Sequence, residues 1–377
     1  MENVNSVAYV TKITEILPIE GADKIEQVFA GGWSCVAQKD KHKVGDLVIV
    51  ATTDAVIPEE LAENLQVTSY LRKGNRVRTV KLKGVYSECL IIPPNYIKYF
   101  TKNILFEGKD VMGELGVYKY EPPVKQITLS SGRKVKYQEN PNFGVYYKFP
   151  NIKNVLDMFN NTDIVEVTRK IHGTNARYGI VKKKKLSLIE RFKKLFGNKW
   201  IEFEFVYGSH NVEKGSDSQG YYSTDVWKEI AEKYNIKERL WEYVKSFDFH
   251  PELLGNGVVL YGEIYGKGIQ KGYEYGLDEI LFNGFDVKLN DQYLSTEEAF
   301  NVITSDLTLE YVPILYVNYW NDKLSDKFVI DNFIGNTKVP HEGIVIKHIT
   351  GDRRKVAKII NPAYLIYSEK NNIGDSH

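Results

Sequence analysis

Residues 165–175 read VEVTRKIHGTN, and their alternation decides how the surrounding chain folds. Side chains of an extended chain alternate faces, so Val165 and Val167 point one way while Glu166, Thr168 and Lys170 point the other. The valines predict a core-facing strand over Ile164–Thr168. Beyond it a lysine stands at the strand's end, followed by a turn at Gly173. A lysine held in a cleft, partly desolvated and near other cations, loses its proton more readily and becomes a nucleophile. One strand-end lysine alone is most often a solvated surface group, so the reading depends on its companions.

Outward from this stretch, strands alternate with helical patterns: a helix within Thr224–Phe247, strands at Gly257–Ile264 and Ile280–Val287, a short helix at Glu297–Ile303, and strands at Gly343–His348 and Val356–Ile360. This predicts an α+β domain over residues 144–377. Toward the N-terminus, residues 1–122 read as all-β. Alternating runs occur at Val7–Ile13, Ile25–Phe29, Ser34–Val36 and Leu47–Val50, and two more, Val77–Leu82 and Cys89–Ile92, flank Lys83-Gly84. Five or six short strands predict a small OB-like barrel. Residues 123–143, polar and proline-containing, read as a linker.

Length agrees with this division, since 377 residues suffice for two cores. A net charge of +1 excludes a polycation, so nucleic-acid binding must come from local basic patches. Cys35 and Cys89 are the only cysteines and lack CxxC spacing, which argues against a disulfide framework or structural zinc and for a reducing cytoplasm. No signal peptide or apolar run of membrane-spanning length is evident, so no membrane association is expected.

Lys182–Lys199 stands apart: four consecutive lysines precede LSLIERFKKLFGNKW, with Leu188, Phe192 and Leu195 at helical spacing. It reads first as an amphipathic helix packed on the domain by its apolar stripe. An RNA-phosphate patch and a membrane-surface helix are the alternatives.

Lys170-Ile171-His172-Gly173-Thr174-Asn175 resembles motif I of the covalent nucleotidyltransferases, in the KxHGTN form of RNA ligases. Further segments resemble the later motifs in order: Phe205–Asn211, Leu260–Gly266 followed by Gln270, Phe282–Val287, Glu342–Lys347 and Lys355–Lys358. In the N-terminal region, Ile13–Pro18, Gly21-Ala22-Asp23, Gly32-Trp33, Val44-Gly45-Asp46 and Lys83–Ser87 resemble the OB domain of the Naegleria-type RNA ligase group, in which that domain precedes the transferase.

The resemblance implies an ATP-dependent RNA ligase that uses Mg²⁺ or Mn²⁺ and forms a covalent adenylate on Lys170. Glu263 would accept hydrogen bonds from the ribose hydroxyls, Val345 would line the adenine, and Lys347 and Lys358 would meet phosphate. Glu342 would hold the metal through water. Either Phe285 or Phe282 would stack on the base. Ser209, His210 and Asn211 would form a polar turn at the nucleotide or cap a loop. His172 would touch pyrophosphate or the metal's water shell, or order the turn, and Asn175 completes the motif at the nucleotide. The pocket would lie wholly between Lys170 and Lys358, leaving the barrel to grip RNA or a nicked duplex containing DNA.

Two departures stand out. Lys358-Ile359-Ile360 carries one of two lysines common in the last motif, leaving Arg354 or Lys355 to supply the other. Arg169 occupies a position often held by a carboxylate that reads the adenine amino group. The expected protein is a monomer acting in RNA repair. The competing readings are a DNA ligase, a capping-type nucleotidyltransferase and a non-enzymatic nucleic-acid-binding protein.

Overall fold

Two alternating patterns, one at each end of the chain, produce two separate sheet systems. The structure is a computed structural model that describes residues 6–97, 105–120, 140–196, 199–217, 220–221, 225–330, 332–349 and 354–373.

In the first system the strand order is Trp33–Gln38, Ile25–Ala30, Ala8–Pro18, Leu47–Thr52, Cys89–Ile92, with every pair antiparallel. Ala8–Pro18 is long enough to serve two partners. Its first half pairs with Leu47–Ala51, and after an irregularity between Ile13 and Glu15 its second half pairs with Glu26–Phe29. Such a bulge bends a strand and lets it turn a barrel corner. The edges meet where the Glu88 N–H donates to Ser34 O at 2.8 Å and the Val36 N–H donates to Ser87 Oγ at 3.0 Å.

The sequence pattern missed three short strands here, Ala55–Val56, Val85–Ser87 and Tyr118–Lys119. Val80–Leu82 pairs with Val85–Ser87 around Lys83-Gly84, and Cys89–Ile92 turns instead to Leu47–Thr52. Lys83 (φ 47°) and Gly84 (φ 84°) supply the two positive angles that a tight hairpin turn requires. Tyr118–Lys119 pairs with Ala55–Val56 and so returns to the first domain. Most of the expected linker, residues 123–139, lies outside the described residues. Its last part corrects the expectation: Asn140 and Phe143 are buried in the transferase domain, where the Asn140 N–H donates to Glu213 Oε2 at 2.7 Å.

The second system consists of two antiparallel sheets. A four-stranded one runs Ile314–Tyr319, Ile164–Lys170, Gly343–His348, Val356–Ile360. A seven-stranded one runs Gly220–Tyr221, Glu213–Ser216, Phe203–Gly208, Thr174–Lys182, Gly257–Gly266, Ile280–Leu289, Gln292–Tyr293. The predicted strands Gly343–His348 and Val356–Ile360 occur with those bounds. The predicted helix within Thr224–Phe247 is two helices, Val226–Lys233 and Ile236–Lys245, broken at Asn235, whose φ of 49° no helix accommodates. Both helices bury apolar faces in the core cluster of the larger sheet, through Ile230, Ile236, Leu240 and Val244.

Val165, Val167, Ile344, Ile346, Ala357 and Ile359 form one buried face of the smaller sheet, under Phe159 and Trp320. By alternation the other face carries Glu166, Thr168, Lys170, Val345, Lys347 and Lys358. That face looks toward the larger sheet. The chain passes from one sheet to the other in three residues, Ile171-His172-Gly173.

The expectation for Lys182–Lys199 requires correction. Its helix, Leu188–Leu195, forms with a Ser187–Glu190 capping box, but Leu188, Ile189, Phe192 and Leu195 are 82%, 69%, 62% and 82% exposed. The stripe therefore faces water, away from the domain.

Candidate active site

Lys170 ends its strand opposite Gly343, and its ammonium lies 2.5 Å from Glu342 Oε1. Glu342 is fully buried. The crossing that carries Lys170 is fastened from several sides. The Gln270 amide donates to Gly173 O at 2.7 Å, and the His172 N–H donates to the Tyr275 hydroxyl at 2.6 Å. A Cβ on residue 173 would stand 2.1 Å from Ile264 O, so only glycine lets motif I approach the strand that bears Glu263.

His172 does not line the cleft as expected. Its ring is buried between Tyr273 and Tyr364, at centroid distances of 4.9 and 5.2 Å, with the Tyr364 hydroxyl 3.1 Å from Nδ1. Its Nδ1 also lies 3.6 Å from Glu342 Oε2. The imidazole therefore stands behind Glu342, with Nδ1 facing Oε2 of that carboxylate.

Glu263 pairs opposite Asn175 on the adjoining sheet. Burial pushes its carboxyl up to about 8, while the Lys170 charge pulls down and Glu342 pushes up. The Glu342 carboxylate thus contacts the lysine, while Glu263 lies within electrostatic reach of both. Asn175 contributes a buried side-chain oxygen, Oδ1, with no hydrogen-bond partner among the described residues. Its backbone oxygen accepts from the Trp227 indole at 3.0 Å.

Lys358 lies opposite Val345, beside the Phe149 ring at 5.8 Å. Burial, then the Lys170 charge, lowers its ammonium to about 8. Lys119 and Asp54 act on it more weakly, through charge alone.

Lys347 departs from its expected place at the α-phosphate. It stands opposite Glu166, four residues along its strand from the Gly343–Lys170 pair, roughly 13 Å at about 3.3 Å per residue. Its ammonium is bound by Phe285 O and by the Tyr311 hydroxyl at 3.2 Å, with Asp286 at 3.8 Å. Burial lowers it, against the pull of Asp286 and Glu166. This buried network continues through Arg354, which binds Asp286 and donates to Tyr147 Oη at 2.9 Å. Tyr146 donates to Asp286 at 2.7 Å, and Tyr311 to Glu166 at 2.8 Å.

Arg354 is thereby committed elsewhere, and Lys355 pairs with Asp163 at 2.7 Å. Neither replaces the second lysine of the last motif.

Between the two phenylalanines, Phe282 is buried in the core against Tyr178. Phe285 sits at a bulge, because Asp286 pairs with Tyr261 and Gly284 with Gly262, leaving it unpaired between them. That frees its carbonyl for Lys347. Val345 is half-buried on the same cleft face. The Ser209–Asn211 turn closes on itself: the Ser209 N–H donates to Val212 O at 2.9 Å, and Asn211 is exposed. Sequence reasoning missed Arg177, whose buried guanidinium binds Ser209 O at 2.7 Å and Phe143 O, fixing that turn to the domain. Alternation would have placed it off the core face of the strand, but its partners are distant in sequence.

Among the described residues, no group of three or more His, Cys, Asp or Glu side chains gathers as a metal cage. Glu342 offers a hard oxygen donor at the lysine, and Glu263 lies within electrostatic reach of both. That set suits Mg²⁺ or Mn²⁺ held through waters and substrate phosphates.

No curated protein matches the chain. Among solved structures, Naegleria gruberi RNA ligase matches nearly end to end. A mutant of it without ligand is 24% identical, with a TM-score of 0.70 over 97% of this chain and 99% of that one. A mutant with ATP and Mn gives 24% and 0.70 over 96% and 99%, and the enzyme with PPi gives 24% and 0.68 over 97% and 99%. These likenesses establish the two-domain fold. Residues 7–94 match an OB-fold domain family. Residues 163–360, more than half of the chain and spanning every strand of the cleft, match the RNA ligase family, and the chain belongs to that family.

Proposed function

We propose that the protein is an ATP-dependent RNA ligase that joins a 3′-hydroxyl to a 5′-phosphate through a lysyl-AMP on Lys170. The carrying observation is the Lys170–Glu342 pair at 2.5 Å, flanked by Glu263 and by Lys358. The neutral Lys170 amine attacks the α-phosphorus, and the bond to pyrophosphate breaks as an N–P bond forms. AMP then passes to a 5′-phosphate, and a 3′-hydroxyl displaces it. Charge builds on phosphate oxygens in each step, so fixed cations lower the barrier.

Lys358 meets the α-phosphate, and Glu263 and Asn175 receive the ribose side. Val345 and Phe285 flank the base, whose far edge lies toward Lys347. Glu342 would hold a divalent cation, which when bound would supply positive charge to the phosphate oxygens. His172 positions Glu342. Solved forms of the Naegleria enzyme with ATP and Mn, with AMP and Mn, and with PPi support this order.

Residues 1–122 grip the polynucleotide. Arg72, Arg76 and Arg78 cluster where the barrel meets the C-terminal helix, with Arg72 and Arg78 paired to Glu369. The enzyme acts as a monomer in a cytoplasmic setting. Among the described residues no helix is long and apolar enough to cross a membrane. The test is incubation with α-labelled ATP and Mg²⁺ or Mn²⁺, then denaturing gel analysis. The wild type should carry an acid-labile label, and Lys170→Ala none. Undiminished label on that variant overturns the assignment. Sealing of RNA nicks but not all-DNA nicks should follow.

A further inference from the structure

Twenty residues separate Lys182 from Phe203, although these two residues are directly paired neighbours in the sheet. A hairpin needs only two to five residues there, so the excursion is an addition that the fold does not require. Its helix, Leu188–Leu195, contributes no side chain to any apolar cluster of the described residues. Phe196 follows at 76% exposure, in ring contact with Phe192 at 4.9 Å.

The orientation is nevertheless fixed. Lys183 pairs with Glu190 at 2.6 Å, the Lys183 N–H donates to Glu202 O at 2.8 Å, and Lys194 pairs with Glu202. Trp200 packs on the core where the chain returns. A contiguous patch of large apolar side chains held in water marks an interaction surface.

The distribution of charge identifies what covers it. At 3.6 residues per turn, Leu188, Ile189, Phe192, Leu195 and Phe196 span an arc of about 120°. Arg191 borders that arc on one side and Lys193 on the other, while Glu190 and Lys194 face nearly opposite, each held in an ion pair. Lys182–Lys185 lead into the helix. Cations on both rims of an apolar stripe suit an interface whose apolar depth is edged by negative charge. A second copy would bring like charge against like charge. RNA would satisfy the lysines and leave the phenylalanines and leucines in water.

We propose that this helix docks the enzyme on an anionic lipid bilayer. The apolar stripe enters the acyl boundary while Arg191 and Lys193 on its rims reach headgroup phosphates. This revises the expectation of no membrane association, through peripheral contact and not through a spanning segment. Lys182 lies seven residues along its strand from Asn175, roughly 23 Å away, so docking leaves the nucleotide cleft open.

The test mixes full-length protein with vesicles of phosphatidylcholine alone, or with roughly a third phosphatidylserine, and reads bound protein by flotation. Binding to the anionic vesicles should exceed binding to neutral ones by about tenfold or more and should weaken as salt rises. Phe192→Glu with Leu195→Glu should abolish that difference, yet seal an RNA nick in vesicle-free solution at the wild-type rate. Arg191→Ser with Lys193→Ser should retain sealing and lose the preference for anionic lipid. Equal or absent binding to the two vesicle types overturns the proposal, as does retained binding by the glutamate variant. If that variant instead loses RNA affinity, or converts a dimer to a monomer, the stripe belongs to RNA or to a second copy.

Discussion

The two ends of the strand Thr174–Lys182 meet opposite requirements. At the Thr174 end, charged and polar groups are taken out of water and fastened by partners from distant parts of the chain. Glu342 is fully buried beside Lys170, and His172 behind it is wedged between Tyr273 and Tyr364. At the Lys182 end, five large apolar side chains are put into water and held there by two ion pairs. Each arrangement costs stability in isolation. Both are places where sequence and fold disagree locally, which is where function resides.

The comparison is broken most severely by removing a hub of the buried polar network. Asp286→Ala would leave Lys347 and Arg354 without their shared carboxylate, and should cost about 3–5 kcal/mol in denaturant unfolding. A loss under about 1 kcal/mol would mean that the network does not hold the cleft together.

Lys358→Met should separate stability from activity. The folded ammonium titrates at about 8 against an ordinary 10.5. Between those values the unfolded chain keeps a proton that the folded one has lost, so wild-type stability rises with pH across that window. Below it, the buried charge is a penalty. The methionine variant should therefore gain about 1–3 kcal/mol at pH 7, a gain that fades above pH 10.5, while adenylation falls about a hundredfold. Lower stability at pH 7 would show that the ammonium has a partner in the free protein.

Glu263→Gln has the opposite sign. The wild-type carboxyl rises from 4.5 to about 8 on folding, so its contribution is full below pH 4.5 and is lost as pH climbs through 8. The melting temperature of the variant should exceed that of the wild type by a few degrees at pH 9, and the gap should shrink toward acid. A gap independent of pH would place Glu263 in ordinary solvent. At the other end of the strand the smallest effect is expected. Leu188→Ser with Leu195→Ser should change stability by no more than about 0.5 kcal/mol, because both side chains are 82% exposed.

Much of the fold was legible because it rests on period two. The strand ending at Lys170 and those at Gly343–His348 and Val356–Ile360 follow from alternation alone. Alternation also placed Glu166, Thr168 and Lys170 on one face. It failed wherever parity was interrupted or a partner came from far away. The choice between Phe282 and Phe285 turns on a single bulge that a lone strand's pattern does not reveal. The place of His172 depends on Tyr273 and Tyr364, and that of Arg354 on Asp286, Tyr147 and the carbonyl of Leu294. The helical stripe at Leu188–Leu195 was readable as a stripe, but periodicity does not say whether a face meets protein or water.

The pairing of Lys182 with Phe203 also makes the enzyme modular in a practical sense. The excursion leaves and re-enters the sheet at neighbouring residues, whose Cα atoms in such a pair lie about 5 Å apart. A short turn, a reporter domain or a different targeting sequence could be spliced at that junction with the strands on either side still in register. The crossing at Ile171-His172-Gly173 has no such freedom, since one added residue would displace Asn175 relative to Lys170. Where the ligase is delivered can therefore be rewritten at one end of a nine-residue strand, while what it catalyses stays written at the other.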